Sequence, residues 1–240
     1  MKRFLLLISL YVFVYTGSAF SQGLSLKSIE LSLSGGEASY SKKPFIIGAP
    51  QAATQINGTM QLSSAKIGKM GEARINFYTT KRFGAEVLYG YQYSGVQFLR
   101  TAPTTSSFSV PLQIHTFGLN LLYYPLGNKM LKWRPFVTIG GGAIVFRPST
   151  GGQKSAKDPL EGNFDTFFES SRPSGNAGGG VKHSLTKSIG FRADAGIVLT
   201  KVPTFGLPES SAQSNATVLP VGGLVRSVRG SVGLIFYLGK

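Results

Sequence analysis

Gln113-Ile-His-Thr-Phe117-Gly-Leu119-Asn-Leu121-Leu-Tyr123-Tyr124 and Arg134-Pro-Phe136-Val137-Thr-Ile139-Gly-Gly-Gly-Ala143-Ile-Val145-Phe146 are two alternating runs. Pro125-Leu-Gly-Asn-Lys129-Met-Leu-Lys132-Trp133 joins them. In the first run Phe117, Leu119, Leu121 and Tyr123 fall on one face and Thr116, Gly118 and Asn120 on the other. Side chains alternate across a strand, so the pair reads as a hairpin with one apolar face and one small or polar face. Each arm is long for a strand of a water-surrounded domain and matches a tilted strand that crosses a bilayer. Tyr123, Tyr124, Trp133, Lys129, Lys132 and Arg134 crowd the connector. Aromatic and basic residues collect where a chain leaves hydrocarbon for head groups.

The same pattern recurs on both sides of this hairpin. A first strand is expected over Leu26 to Ser34, with Ile29, Leu31 and Leu33 on one face. A second, Ile67 to Thr79, sets Ala73, Ile75 and Phe77 against Glu72, Arg74 and Asn76. A third sets Ala85, Val87, Tyr89, Tyr91 and Tyr93 against Glu86, Leu88, Gly90 and Gln92. After the opening hairpin, a sixth covers Asn176 to Thr186, and a seventh alternates Phe191, Ala193, Ala195 and Ile197 with Arg192, Asp194 and Gly196. An eighth puts Val228, Val232, Leu234, Phe236 and Leu238 opposite Arg229, Ser231 and Gly233. Connections after the second, fourth and sixth strands are short and basic; those at about 35–66, 97–109, 147–173 and 201–223 are long and polar. Short and long connections therefore sort to opposite ends, the plan of an all-β, eight-stranded antiparallel up-and-down transmembrane β-barrel. A water-surrounded barrel of lipocalin type would turn its apolar faces inward around a ligand. Aromatic ends on the apolar faces and a mixture of charges with glycines on the polar faces oppose that orientation.

Composition agrees. Of 240 residues, 15% are charged, 42% hydrophobic and 31 glycine, and no run after the N-terminus is apolar enough for a membrane helix. A membrane-spanning chain without such helices must close its sheet, because an open edge in lipid leaves backbone groups unpaired. Met1-Lys2-Arg3, the apolar Phe4 to Tyr15 and the small residues around Ala19-Phe20-Ser21 form an export signal over 1–21, which leaves 22–240 as the barrel. With no cysteine there is neither a disulfide nor a thiolate site.

The chain resembles the small eight-stranded outer-membrane barrels of Gram-negative bacteria, the OmpA transmembrane domain, OmpX and OmpW-like group. The likeness rests on Asn120-Leu-Leu-Tyr-Tyr-Pro, Trp133-Arg-Pro-Phe-Val-Thr-Ile-Gly-Gly-Gly and the final Gly230-Ser-Val-Gly-Leu-Ile-Phe-Tyr-Leu-Gly. It implies location in the cell outer membrane, reached through the periplasm, and insertion by the barrel-assembly machinery. The group often ends on an aromatic residue; this chain ends Leu238-Gly239-Lys240, with Phe236 and Tyr237 close by.

With apolar faces turned to lipid, the opposite faces enclose Glu30, Glu72, Arg74, Glu86, Lys182, Arg192, Asp194 and Arg229, four acids and four bases. Buried charges must pair or cost heavily, so this balanced set is expected to be a structural network. Gly140–Gly142 and Gly178–Gly180 are expected at similar heights on the fifth and sixth strands, a bare wall that gives Glu72 and Arg74 room to reach across. The formal charge of +15 reads as two basic rims, suited to lipid phosphates including those of lipopolysaccharide, or to plain snorkelling. Nucleic acid is not expected as a partner.

Asp158-Pro159-Leu160-Glu161 has the form of a helix start, with Leu160, Phe164, Phe167 and Phe168 on one face and Ser171-Arg172-Pro173 as the end. Such a helix above the barrel could be a docking element for an extracellular ligand or graze lipid; the favoured expectation is that it plugs the mouth or packs on other loops. His115 and His183 are the only histidines. His183 and Ser184 are sequence neighbours on opposite faces, and His115 has no acid near it in its strand, so no enzyme is expected. No metal-ligand spacing, phosphate-binding loop or nucleophile elbow occurs; catalytic, cofactor and metal sites are each expected to be none. The function expected is structural or surface-interacting and carried by the external loops, with a narrow channel for small or apolar solutes as the alternative and a lipid-modifying enzyme as the third and least favoured reading.

Overall fold

The computed structural model describes residues 29–47, 56–63, 69–102, 105–127, 132–149, 168–206 and 221–238. Eight strands close the barrel: β1 (Ile29–Tyr40), β4 (Lys69–Tyr78), β5 (Phe83–Ala102), β6 (Ser106–Tyr123), β7 (Trp133–Pro148), β8 (Ser170–Ser184), β9 (Ile189–Lys201) and β10 (Leu224–Leu238). A hairpin of β2 (Lys43–Ile47) and β3 (Ile56–Ser63) is added to it. All pairings are antiparallel between neighbours, and β1 meets β10 from Ile29↔Leu238 to Tyr40↔Ser227, which closes the ring. This is the eight-stranded up-and-down barrel that the alternation predicts. Among the described residues no helix is long and apolar enough to cross a membrane, a finding silent on strands.

The apolar faces point outward. Leu119, Leu121, Val137, Ile139, Val232 and Leu33 are all exposed, while Glu86, Arg74 and Lys182 on the opposite faces are buried. The lipocalin orientation is therefore not the one adopted. On β5 the outward apolar and aromatic row runs from Phe83 to Tyr93. At roughly 3.3 Å per residue and a tilt of about 40°, that row rises about 25 Å, the height of a hydrocarbon band.

Several strand ends differ from the sequence expectation. The segment 97–109, rich in Thr and Ser, is mostly strand: β5 and β6 pair from Phe83↔Tyr123 up to Arg100↔Ser106. Thr and Ser hydroxyls suit a strand whose outer face is in water, so their presence does not mark a loop. The segment 35–66 contains the top of β1 and the β2–β3 hairpin, and β3 pairs with β5 above the stretch where β4 does. Met60 and Leu62 alternate into the interior there, a period-two signal too short to stand out. Ser171-Arg172-Pro173 lies inside β8, paired to β7, and does not end a helix. Pro173 is tolerated because β9 joins β8 only from Ser174.

The glycine triplets also sit differently. Gly140 is opposite Asn176, and Gly178 is opposite Thr138, so the two triplets are staggered. A Cβ on Gly142 would fall on the Phe117 carbonyl, and one on Gly178 would come within 2.5 Å of the Ala195 carbonyl. Their absent side chains accommodate the neighbouring strand's backbone, and not Glu72 or Arg74. Overpacking of this kind costs about 1–3 kcal/mol. Gly178→Ala should destabilise by that amount in urea unfolding from detergent or lipid. Gly175→Ala, whose Cβ would meet only the Gly140 carbonyl at 4.0 Å, should stay within about 0.5 kcal/mol of the parent.

Candidate functional site

The interior is built in three tiers. Nearest the short turns, Glu30 is the centre. Its Oε1 accepts from Tyr78 Oη at 2.5 Å and from Arg134 Nη2 at 2.9 Å, and its Oε2 accepts from Lys182 Nζ at 2.6 Å. Lys182 also donates to Tyr124 Oη at 3.0 Å, and Arg134 donates to Tyr237 Oη at 3.1 Å. Leu122, Tyr124 and Phe136 pack beneath this group.

The middle tier joins β1, β4, β5, β6, β9 and β10. Arg74 donates to Glu72, to Asp194 Oδ1 at 3.1 Å and to Ser34 Oγ at 2.8 Å. Arg192 donates to Glu86 Oε2 at 2.5 Å and to Asp194 Oδ2 at 2.7 Å. Arg229 reaches Glu72 Oε1 at 3.3 Å, and Asn120 Nδ2 reaches Glu86 Oε1 at 2.9 Å. With its amide turned to donate to Glu86 Oε2 (2.9 Å) and accept from Lys182 Nζ (3.3 Å), Asn76 links this tier to the lower one. Two small spaces border the network, about 20 Å³ beside Tyr40 and Gln92 and about 10 Å³ beside Arg74, Asn120 and Thr138. Each has room for about one water.

The third tier is apolar. Val110, Leu112 and Ile114 of β6 pack with Ile144 and Phe146 of β7 and with Met60, Leu62, Val202 and Phe205, all buried. On β6 the outward residues change at the same height, from Phe117, Leu119 and Leu121 to the exposed Ser107 and Ser109. The strand's amphipathicity inverts there: below, apolar outside and polar inside; above, the reverse.

The eight charged residues read from the sequence all point inward and all take part in ion pairs with one another or with Arg134. Arg134 corrects the sequence reading, which placed it on the short-turn rim. It is buried, and among the described residues the interior network therefore has five bases to four acids. Its phase was legible, since Arg134 alternates with the exposed Trp133 and shares a face with Phe136. The tyrosines were missed too: Tyr78 follows Glu72, Arg74 and Asn76 in inward phase, and Tyr124 was assigned to the connector. Asp158, Leu160, Phe164 and Phe167 lie outside the described residues. Phe168 is described; it is exposed, and its N–H donates to the Phe205 carbonyl at 2.9 Å.

Both histidines are on the outer wall. His115 Nδ1 is 3.0 Å from Tyr89 Oη, and its ring meets Tyr91 edge-on. The His183 ring lies 4.2 Å from that of Trp133, while Ser184 Oγ on the other face is 3.1 Å from Tyr237 Oη. Among the described residues no group of three or more His, Asp or Glu side chains is placed to hold a metal. At the loop end, Arg172, Lys201, Val202, Thr204, Gly223 and Leu224 line a hollow of about 430 Å³, where Arg172 Nη2 donates to Thr204 Oγ1 at 2.5 Å.

No family model matches the chain, and no curated protein matches it. Among solved structures it is similar to the outer membrane protein OprG from Pseudomonas aeruginosa, with a TM-score of 0.54 at 12% identity, covering 91% of this chain and 99% of that one. It also aligns with outer membrane protein AlkL in lipid bilayers (TM-score 0.46, 12% identity, 87% of this chain, 90% of that one). Neisserial surface protein A aligns as well (TM-score 0.44, 12% identity, 87% and 96%). At such identities the likeness to OprG bears on the fold, and the fold is that of a small eight-stranded outer-membrane barrel.

Removing one partner of a buried ion pair costs about 3–5 kcal/mol, because the other charge is left uncompensated. Glu30→Gln takes from the fully buried Lys182 its carboxylate partner among the described residues, whereas Glu72→Gln leaves Arg74 with Asp194 and takes a partner only from Arg229, which is less buried and held at 3.3 Å. Glu30→Gln should therefore reach the upper end of that range or exceed it, and Glu72→Gln the lower, in urea unfolding from lipid vesicles.

Proposed function

We propose that this chain is a Gram-negative outer-membrane barrel whose role is structural and surface-interacting, exercised through its external loops. In this reading 1–21 is a removed export signal, 22–240 is inserted by the barrel-assembly machinery, and the short turns face the periplasm. The observation that carries the reading is the filled interior under an outward apolar band. Three tiers of side chains occupy the lumen, and the spaces bordering the charged tier measure about 20 and 10 Å³. A barrel of eight strands has room for side chains and little else.

The exposed Lys42, Lys69, Arg147, Lys201 and Arg226 at the loop end support contact with lipopolysaccharide phosphates. The hollow bordered by Arg172 and Lys201 supports an anionic extracellular ligand. A non-enzymatic role is supported by the settings of His115 and His183, one held by tyrosines and the other stacked on Trp133. Among the described residues neither forms a hydrogen bond or ion pair with an acid or with a Ser or Thr nucleophile.

The expected outcomes are a heat-modifiable shift on gels, recovery in the outer-membrane fraction, and no single-channel steps above background in planar bilayers. Regular conductance steps would move the assignment to the narrow channel. Deletion of 150–167 should leave the gel shift intact and abolish surface binding; loss of neither would remove the loops from the function.

A further inference from the structure

We infer that the short-turn rim is a ring-shaped contact for the phosphates of anionic phospholipids, in the leaflet that the turns face. The inference rests on the membrane reading above. It begins with two turns that are structural twins. In Thr79-Thr80-Lys81-Arg82-Phe83, the N–H groups of Thr79 and Thr80 donate to the Phe83 carbonyl, and Thr80 Oγ1 accepts from Arg82 N (3.3 Å) and Phe83 N (3.0 Å). In Leu185-Thr186-Lys187-Ser188-Ile189, the N–H groups of Leu185 and Thr186 donate to the Ile189 carbonyl, and Thr186 Oγ1 accepts from Ser188 N (3.2 Å) and Ile189 N (3.0 Å). Each turn is stapled by its threonine and carries a lysine next to it, Lys81 in one and Lys187 in the other.

The β4–β5 and β8–β9 turns stand four strands apart in a ring of eight, on opposite sides of the barrel. The β6–β7 connection lies between them and presents Lys132. Lys81, Arg82, Lys132 and Lys187 are exposed, none is in an ion pair with a described acid, and the segments 79–82, 124–132 and 185–188 contain no Asp or Glu. A single soluble anion is gripped by clustered cations. These are spread round the rim, each just beyond the outward girdle of Phe83–Tyr123 and Trp133–His183. Cations at that height around a closed ring, with Lys81, Arg82 and Lys187 on the stapled turns, match a plane of phosphates. Side-chain snorkelling accounts for the height of the ammonium groups but not for the absence of acids from all three segments.

Trp133 is the only tryptophan, is exposed on this girdle and follows Lys132 directly, so its fluorescence reports on the lipids at the rim. The mature chain is refolded into phosphatidylcholine vesicles with a minor share of brominated phosphatidylglycerol, or the same share of brominated phosphatidylcholine. At low salt the brominated anionic lipid should quench Trp133 as though enriched about fivefold at the rim. The excess should disappear near 0.5 M salt. It should also disappear in Lys81→Gln/Arg82→Gln/Lys132→Gln/Lys187→Gln, which should keep the parent's quenching by brominated phosphatidylcholine. Equal quenching by the two lipids overturns the inference and leaves the membrane reading standing. Quenching by neither overturns both.

Discussion

A charge enclosed by a lipid-wrapped wall has no water to turn to, and the barrel depends on how Arg74 meets that constraint. Its guanidinium holds Glu72 on its own strand, Ser34 on β1 and Asp194 on β9. Strand pairing has period two, so a one-residue slip of β4 would turn Glu72, Arg74 and Asn76 into hydrocarbon. Such a slip loses the pairing and adds the cost of charge in lipid. The network thus specifies which face of each strand looks inward, whether or not it adds net stability over an apolar filling. Glu86, Arg192 and Asp194 do the same for β5 and β9. On β8 the inward side is nearly bare, and its register rests on Lys182 together with the close backbone approach at Gly178.

The change of character along β6 follows from the same constraint. Where hydrocarbon surrounds the wall, apolar side chains are used outside, and the polar side chains are left to satisfy one another within. Above that height the outside is water, so Ser107 and Ser109 face out and Val110, Leu112 and Ile114 are free to build a core. The upper barrel is therefore packed like a water-surrounded sheet domain, with β3 supplying Met60 and Leu62 as extra filling. Among the described residues the lumen thus holds polar filling below and apolar filling above.

Much of this was legible in the alternation alone. Phe117-Gly-Leu-Asn-Leu121 and Val232-Gly-Leu-Ile-Phe236 reveal two faces without any structure, and from those phases the inward charges could be named one by one. The limits of legibility have a physical origin. Read as apolar-out throughout, the alternation makes the inverted upper half of β6, and the top of β5 paired to it, look like a polar loop. The β2–β3 hairpin is short and rich in residues that suit loops and strands alike. Arg134 was judged by the basic company it keeps in sequence, when its phase with Phe136 was the better guide. The glycine triplets were taken for empty space in the lumen, but backbone approach between neighbouring strands depends on coiling, which no one-dimensional pattern records.

A barrel filled inside and committed to lipid outside keeps only its two ends for recognition, and the ends are built differently. At the short-turn end the β4–β5 and β8–β9 turns are tight and held by threonine staples, which set where Lys81 and Lys187 leave the backbone. Dispersed cations discriminate poorly among shapes and well among surface charges, which suits a leaflet. At the loop end, Arg172 and Lys201 border a hollow that also offers Val202, Thr204 and Leu224. Mixed polar and apolar lining in a concavity discriminates among molecules, which suits a ligand. The division of labour proposed here, anchorage below and recognition above, thus follows from where each end can place its charges and how stiffly it holds them.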